Sequence, residues 1–352
     1  MSNATAMKTN ATPAPVKIKS HSRRLFLGRD ATRVYALVLI VILASIFVPY
    51  FAGVTTISFL LIDAIPILLM AMPMALIIIT GEIDLSVAST AGLSAAVMGV
   101  LFHNAHWNIA WVFVACVIVG ALCGAFNGIL ITAVGLPSLA VTIGTLALFR
   151  GLALVVIGDN AVADFPTALT TFATSTIGGT GIPTVMILVL VVVLIFGILL
   201  HFTPFGRALF ALGFSKEAAS FVGIRVNRSK FLLYVASGIV SSIAGIFWVL
   251  RYSSAQSDSV QGLELSVVAA VLLGGVSIFG GSGGIIGVVA GVLIIRTVNY
   301  SLQLAGLPDT VLTIVTGSLL VLSVIAPSIA ARSRLSASRR RSRNLVRDAA
   351  AS

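Results

Sequence analysis

The chain has 352 residues, of which 58% are apolar and only 9% charged, against about 25% charged in an ordinary soluble domain. So much apolar surface exceeds what a water-soluble core absorbs and would leave a very large exposed patch, which excludes a pair of soluble domains and makes lipid the expected solvent. The net charge of +11 is confined to the ends: residues 1–33 hold seven basic side chains against Asp30, residues 332–352 hold seven arginines against Asp348, and the body between them holds eight basic and nine acidic side chains. Two basic tails around a nearly neutral body do not make a nucleic-acid surface, and no nucleic-acid partner is expected.

In chain order, residues 1–33 are polar and interrupted by Pro13 and Pro15, and read as a basic, disordered cytoplasmic tail. A membrane helix needs about 20 mostly apolar residues. Such windows fall at 34–52, 56–79, 85–102, 109–134, 138–157, 183–202, 231–250, 264–280, 284–304 and 309–330. The first is too long for the apolar core of a cleavable signal and is followed by further spans, so it reads as a retained helix. The fold class predicted is therefore an all-α polytopic membrane protein of about ten transmembrane helices, with residues 34–330 as the transmembrane domain. The Arg-rich segment 331–352 is a second tail.

Basic residues favour the cytoplasmic side. Apart from the tails, the basic loop is 203–230, with Arg207, Lys216, Arg225, Arg228 and Lys230; the connections 158–182 and 251–263 hold two acids, and one base with one acid. Ten spans put both termini on one side, and six spans before residue 203 put that loop on the same side. Both tails and 203–230 are then cytoplasmic. An inverted repeat of spans 2–5 and 7–10 is suggested by Gly81-Glu82-Ile83-Asp84-Leu85-Ser86-Val87 before the third span and Gly262-Leu263-Glu264-Leu265-Ser266-Val267 before the eighth, a plan common in transporters; chance similarity of two short strings is the alternative.

No catalytic set stands out. There is no Gly-x-x-x-x-Gly-Lys-Ser/Thr loop, no His-Glu-x-x-His pair and no Gly-x-Ser-x-Gly elbow, the patterns that would mark P-loop, zinc or serine chemistry. Cys116 and Cys123 lie two helical turns apart in an apolar run and read as small buried thiols. The Gly280–Gly284 run lacks the lysine of a phosphate loop and reads as a turn or a close helix contact. No cofactor or metal site is expected in this chain.

Charges inside spans are costly and face protein or water. Asp63, Arg150 and Arg296 fall within spans, and Glu82 and Asp84 at a span end. They are candidates for the translocation path or for intramembrane ion pairs, with Asp63 expected to pair with Arg150 or Arg296; a proton relay is the competing reading. Pro66 and Pro73 break the bonding of span 2, and such a helix either borders a path or packs in the core. In the basic loop, Ser215 is positioned to cap a short amphipathic helix from Lys216 to Phe221 that ends at Gly223, a knob on which a soluble partner can dock; a solvated loop is the plainer alternative.

At this loop the chain resembles a known family. Thr203-Pro204-Phe205-Gly206-Arg207 followed by Glu217-Ala218-Ala219-x-x-x-Gly223-Ile224 is similar to the coupling loop of ABC-importer permeases of the ribose / autoinducer-2 / rhamnose group. The later Leu-Pro of the general importer pattern is missing, as is usual in this sugar branch. The Gly81–Val87 block, Leu136–Thr145 and Glu264–Gly281 match as well, so the resemblance covers about 35–330. It implies that Gly206, Arg207, Ser215, Lys216, Glu217, Ala218, Ala219, Gly223 and Ile224 form the ATPase coupling loop. It also implies a second permease copy or paralogue, cytoplasmic ABC ATPase subunits that bind the ATP, a periplasmic sugar-binding protein, and a place in the bacterial inner membrane. Leu148–Gly151 and Gly158–Pro166 lean toward rhamnose-type and autoinducer-2-type members. The alternative function is a stand-alone ion-coupled secondary transporter.

Overall fold

The computed structural model describes residues 29–325, and these are helical apart from turns and two isolated bridges, Val162 with Ala255 and Thr176 with Pro183. Both expected tails lie outside the described residues, except for the few residues at 29–33 that open the first helix. In order, the helices are α1 (Arg29–Phe47), α2 (Val54–Ile79), α3 (Val87–Gly99), α4 (Ile109–Thr132), α5 (Ser138–Ile157), α6 (Thr167–Thr174), α7 (Met186–Phe202), α8 (Pro204–Phe214), α9 (Lys216–Phe221), α10 (Val226–Tyr252), α11 (Leu263–Leu273), α12 (Ile285–Leu304) and α13 (Asp309–Ile325). A π-helical turn, Val100–Asn104, extends α3.

Six of these are long and apolar enough to cross a membrane: α2, α3 with its π turn, α4, α5, α10 and α12. A seventh results if α7 and α8, bent by 69° at Thr203, are taken as one crossing. Helices α1, α11 and α13 are apolar but shorter. The expected eighth span, 264–280, is not a continuous helix. Helix α11 stops at Leu273 after 11 residues, about 16 Å at the usual rise and half of a ~30 Å hydrocarbon core. Gly274 and Gly275 end it: Gly274 lies so close to the α12 backbone that a Cβ would sit 2.6 Å from the Gly287 oxygen, and Gly275 turns at φ 82°, a conformation costly for other residues.

Helix α2 is apolar all round, and accordingly 94% of its most apolar window is buried. It packs against α7, α10, α11 and α12. Helix α10 packs along α4, α3 and α2. The α4–α10 contact is unusually close because both faces are small. Gly120, Gly124 and Gly128 recur every four residues on α4 and meet Gly238, Tyr234 and Phe231 of α10; a Cβ on Gly120 or Gly238 would collide with the other's carbonyl oxygen. In lipid, where apolar burial gives no advantage over lipid contact, such close backbone approach supplies the packing energy.

Candidate functional site

The short helix α9 is defined at both ends by local chemistry. The Ser215 hydroxyl accepts the Ala218 N–H at 3.1 Å and donates to a Glu217 carboxylate oxygen at 3.0 Å, a side-chain N-cap. At the other end Gly223 N–H bonds the Ser220 oxygen and Ile224 N–H the Ala219 oxygen, with Gly223 at φ 83°; this pair of bonds is a Schellman motif. Ala219 is buried, whereas Lys216, Glu217, Ala218 and Arg207 are exposed and Ile224 half-buried. The tip is apolar and open to solvent: Phe221 is 90% and Val222 76% exposed. The helix before it, α8, begins with Thr203 accepting the Gly206 N–H at 3.2 Å and Pro204 at its first position. Gly206 and Gly213 are tight contacts, the first against the Leu200 carbonyl and the second against the Ile79 carbonyl and Gly281 nitrogen. Gly281 N–H in turn bonds the Ile79 oxygen at 2.9 Å. The α8–α9 corner thus rests on the end of α2.

A buried carboxylate ties α9 to the bundle. Glu82 lies in the 80–86 connection, which Gly81 opens at φ 79°. One Glu82 carboxylate oxygen accepts a hydrogen bond from Lys216 Nζ at 2.9 Å and another from Lys230 Nζ near the start of α10. The Glu82 and Lys230 side chains are each 9% exposed, that of Lys216 51%. Burial pushes the Glu82 carboxyl up, but hydrogen bonds from Lys230, Ser138 and Lys216 outweigh it and hold the group below its ordinary value of 4.5. The bond to Glu82 correspondingly raises the Lys216 ammonium above 10.5. Next to it, fully buried Asp84 meets donors without a cation: Ser86 N–H at 3.1 Å, Ser86 hydroxyl at 2.6 Å and Ser237 hydroxyl at 2.8 Å. Asn127 of α4 donates to the Ser86 hydroxyl at 2.8 Å. Loop 80–86 is therefore bonded to α4, α9 and α10 together.

At the opposite end of α10, Asp63 pairs with Arg251, whose Nε and Nη2 lie 3.1 and 2.7 Å from one carboxylate oxygen. This corrects the expected pairing with Arg150 or Arg296. Arg296 reaches Asp63 too, but donates to its main-chain oxygen at 3.1 and 2.8 Å, in the turn that Pro66 disturbs. Arg150 donates to the carbonyls of Ser257 and Ser259 at 3.0 and 2.8 Å. Pro66 and Pro73 are both buried within an unbroken α2.

Glu82, Asp84 and the α9 residues thus form one cluster at one end of the bundle, and Asp63 with Arg296 lies in another toward the opposite end. Sequence reasoning missed Lys230 and Arg251 as partners, Phe221 and Val222 as the exposed tip, and the α4 glycines. The signals present were two basic residues at the ends of one span and glycines spaced by four.

Comparison with known proteins agrees with this architecture. Residues 56–324 match the family described as branched-chain amino acid transport system / permease component. The chain is 38% identical over 273 residues to an autoinducer 2 import system permease protein LsrD of Photorhabdus luminescens, covering 76% of this chain and 81% of the relative. It is 35% identical over 308 residues to the protein of that name from Yersinia pseudotuberculosis serotype O:3, covering 86% and 92%. No solved structure gives a significant match. A helical bundle with several membrane-length apolar helices, a capped helix latched to its base, and a family match over most of the length lead to one conclusion: the chain belongs to the family of branched-chain amino acid transport system / permease components.

Proposed function

We propose that this protein is the membrane-spanning permease subunit of an ATP-driven ABC importer for a monosaccharide or related small sugar, autoinducer-2-like, ribose-like or rhamnose-like. The observation that carries the reading is α9: a capped helix with an exposed Phe221–Val222 tip, fixed through Lys216 to Glu82 and thereby to α10. The exposed tip seats in a cleft of a cytoplasmic ATPase, and the latch passes its displacement to loop 80–86 and α10 rather than to α9 alone. ATP is bound by that partner, and this chain holds no cofactor. A periplasmic binding protein delivers the substrate, and a second permease copy or a paralogue completes the pathway in the bacterial inner membrane.

In this reading the chain crosses the membrane ten times. Helices α1, α7 and α13, and α11 with the turns that follow it, provide the four crossings beyond the six long helices, and both tails lie in the cytoplasm. An inverted repeat is supported by packing: α3 lies along α10 as α11 lies along α2, and α2 and α10 lie against each other. The ion-coupled alternative is disfavoured because Asp63 is held by Arg251 rather than presented as a free proton acceptor.

The test is co-purification and reconstitution with an ABC ATPase and a periplasmic sugar-binding protein from the same organism. Binding-protein-stimulated ATP hydrolysis with ATP-dependent sugar uptake is expected for the wild type. Phe221→Glu is expected to abolish ATPase association while leaving the permease in the membrane. Uptake driven by a proton gradient with no ATPase present would overturn the reading.

A further inference from the structure

The end of α10 remote from α9 carries a second construction. Trp248 and Tyr252, one turn apart, set their rings at 4.7 Å and 49° to each other. With Ser254, Gln256, Asp258 and Ser259 they line a cavity of about 390 Å³, within the roughly 300–1,000 Å³ of small-molecule sites.

Both walls are held from behind. The Arg251 guanidinium sits 5.2 Å from the Tyr252 ring centroid and is itself fixed by Asp63, so the aromatic wall is anchored to α2. The polar wall, the 253–262 connection, is clamped by Arg150 through the Ser257 and Ser259 carbonyls. Ala255 bridges to Val162, and the Ser259 hydroxyl accepts the Gln256 N–H at 3.0 Å. Ser253 and Val260 stand at φ 50° and 64°. For a β-branched residue that conformation is strained and persists only where the surroundings dictate it.

The groups on the cavity side are not used in this way. The Trp248 indole N–H, the Tyr252 hydroxyl and the Asp258 carboxylate make no hydrogen bond to any described residue, and the Gln256 carboxamide bonds only the Ser254 hydroxyl, at 3.2 Å. An aromatic wall facing a carboxylate, a carboxamide and hydroxyls suits one chemistry. Ring C–H faces of a neutral polyhydroxylated molecule pack on the electron-rich aromatic faces, and its hydroxyls donate to Asp258 and bridge to Gln256 and Ser254. No lysine or arginine lines the cavity, and the guanidiniums behind its walls are engaged, Arg150 by the Ser257 and Ser259 carbonyls and Arg251 by Asp63, so a phosphate or an amino-acid carboxylate would meet no free cation and would face Asp258. An apolar molecule would leave the polar wall unpaired.

We propose that this cavity is a contact site for a neutral sugar or polyol at the end of the permease opposite the coupling helix, with Trp248 and Tyr252 as the stacking wall and Asp258 as the principal hydroxyl acceptor. The inference rests on the reading of the chain as a sugar permease and specifies where that subunit touches its substrate. Arg150 and Arg251 act as positioning residues.

The test uses the full-length chain in nanodiscs with Trp107→Phe and Trp111→Phe, which leaves Trp248 as the remaining tryptophan of three. D-ribose and L-rhamnose are titrated while Trp248 fluorescence is followed, with L-leucine as the competing class. Saturable change with at least one sugar and none with leucine is expected, weakened about tenfold by Asp258→Ala, as for loss of a hydrogen bond to a charged group, and less by Asp258→Asn. No saturable change with either sugar would overturn the site and leave Trp248 an interfacial anchor. So would an unchanged response in Asp258→Ala, or saturation by leucine. The importer reading is scored separately, by ATPase association of the wild type. If the assembled transporter carrying Trp248→Leu takes up sugar at the wild-type rate, the cavity proposal fails while the permease assignment stands; if the wild type does not associate with its ATPase, the assignment itself fails.

Discussion

Lys230 and Arg251 stand twenty-one residues apart on α10, and each closes an ion pair with an acid flanking or within α2: Lys230 with Glu82, Arg251 with Asp63. At ~1.5 Å per residue the two bases are about 31 Å apart, close to the ~30 Å thickness of a bilayer's hydrocarbon core. Helices α2 and α10 therefore run antiparallel and are joined by one ion pair near each end of α10, with apolar and small residues between.

The two lysines on Glu82 should separate stability from coupling. Lys216 is half-exposed, so Lys216→Met is expected to change stability by no more than about 1 kcal/mol while reducing sugar taken up per ATP hydrolysed. Glu82→Gln leaves Lys230 buried without a counter-charge and is expected to cost about 3–5 kcal/mol, visible as lost folded protein and a lower melting temperature. Uptake and hydrolysis measured in the same proteoliposomes decide the first part. An unchanged ratio in Lys216→Met removes the latch from the mechanism.

The latch also has a pH window. The Glu82 carboxyl titrates lower in the folded chain than its ordinary 4.5, so its contribution is present above that value and is lost as pH falls through the folded value. Lys216 titrates above its ordinary 10.5, so its contribution is complete below 10.5 and fades only at higher pH. Between these limits the melting temperature gap between wild type and Glu82→Gln should be constant, and it should narrow as pH drops below 4.5. A gap that changes between pH 6 and 8 would show that another group governs it.

What the sequence revealed and what it hid follow from the range of the interactions. The boundaries of α9 were legible because Ser215 and Gly223 act on backbone groups within a few residues. Helical content was legible from hydropathy. The break at Gly274–Gly275 was not, since an average over 264–280 is equally apolar whether the chain is one helix or a half-helix followed by turns. The partner of Asp63 was hidden because Arg251 is 188 positions away, and hydropathy does not say which of three arginines the fold brings to it.

Close packing of α4 on α10 gives a further expectation. Gly238→Val forces side-chain atoms into the Gly120 carbonyl and should cost about 1–3 kcal/mol, read as a lower melting temperature in detergent. Gly144 on α5 has open space around it, so Gly144→Ala should be close to neutral in the isolated chain. Equal losses from both would argue against the α4–α10 contact as drawn.

The Asp63–Arg251 pair can be isolated by a double-mutant cycle. Asp63→Asn leaves the Arg251 guanidinium, 13% exposed, without its carboxylate; Arg251→Gln leaves the Asp63 carboxylate, 24% exposed, with Arg296 committed to the neighbouring carbonyl. Each single change should therefore lower the melting temperature, and the double change should cost less than their sum, with a coupling energy of about 0.5–3 kcal/mol. Reversal by Asp63→Arg with Arg251→Asp should restore only part of the loss. The new arginine at 63 would stand beside Arg296, which already donates to the main chain there, and two guanidiniums would share one carboxylate. Strict additivity of the single changes would show that the two side chains touch without stabilising the fold.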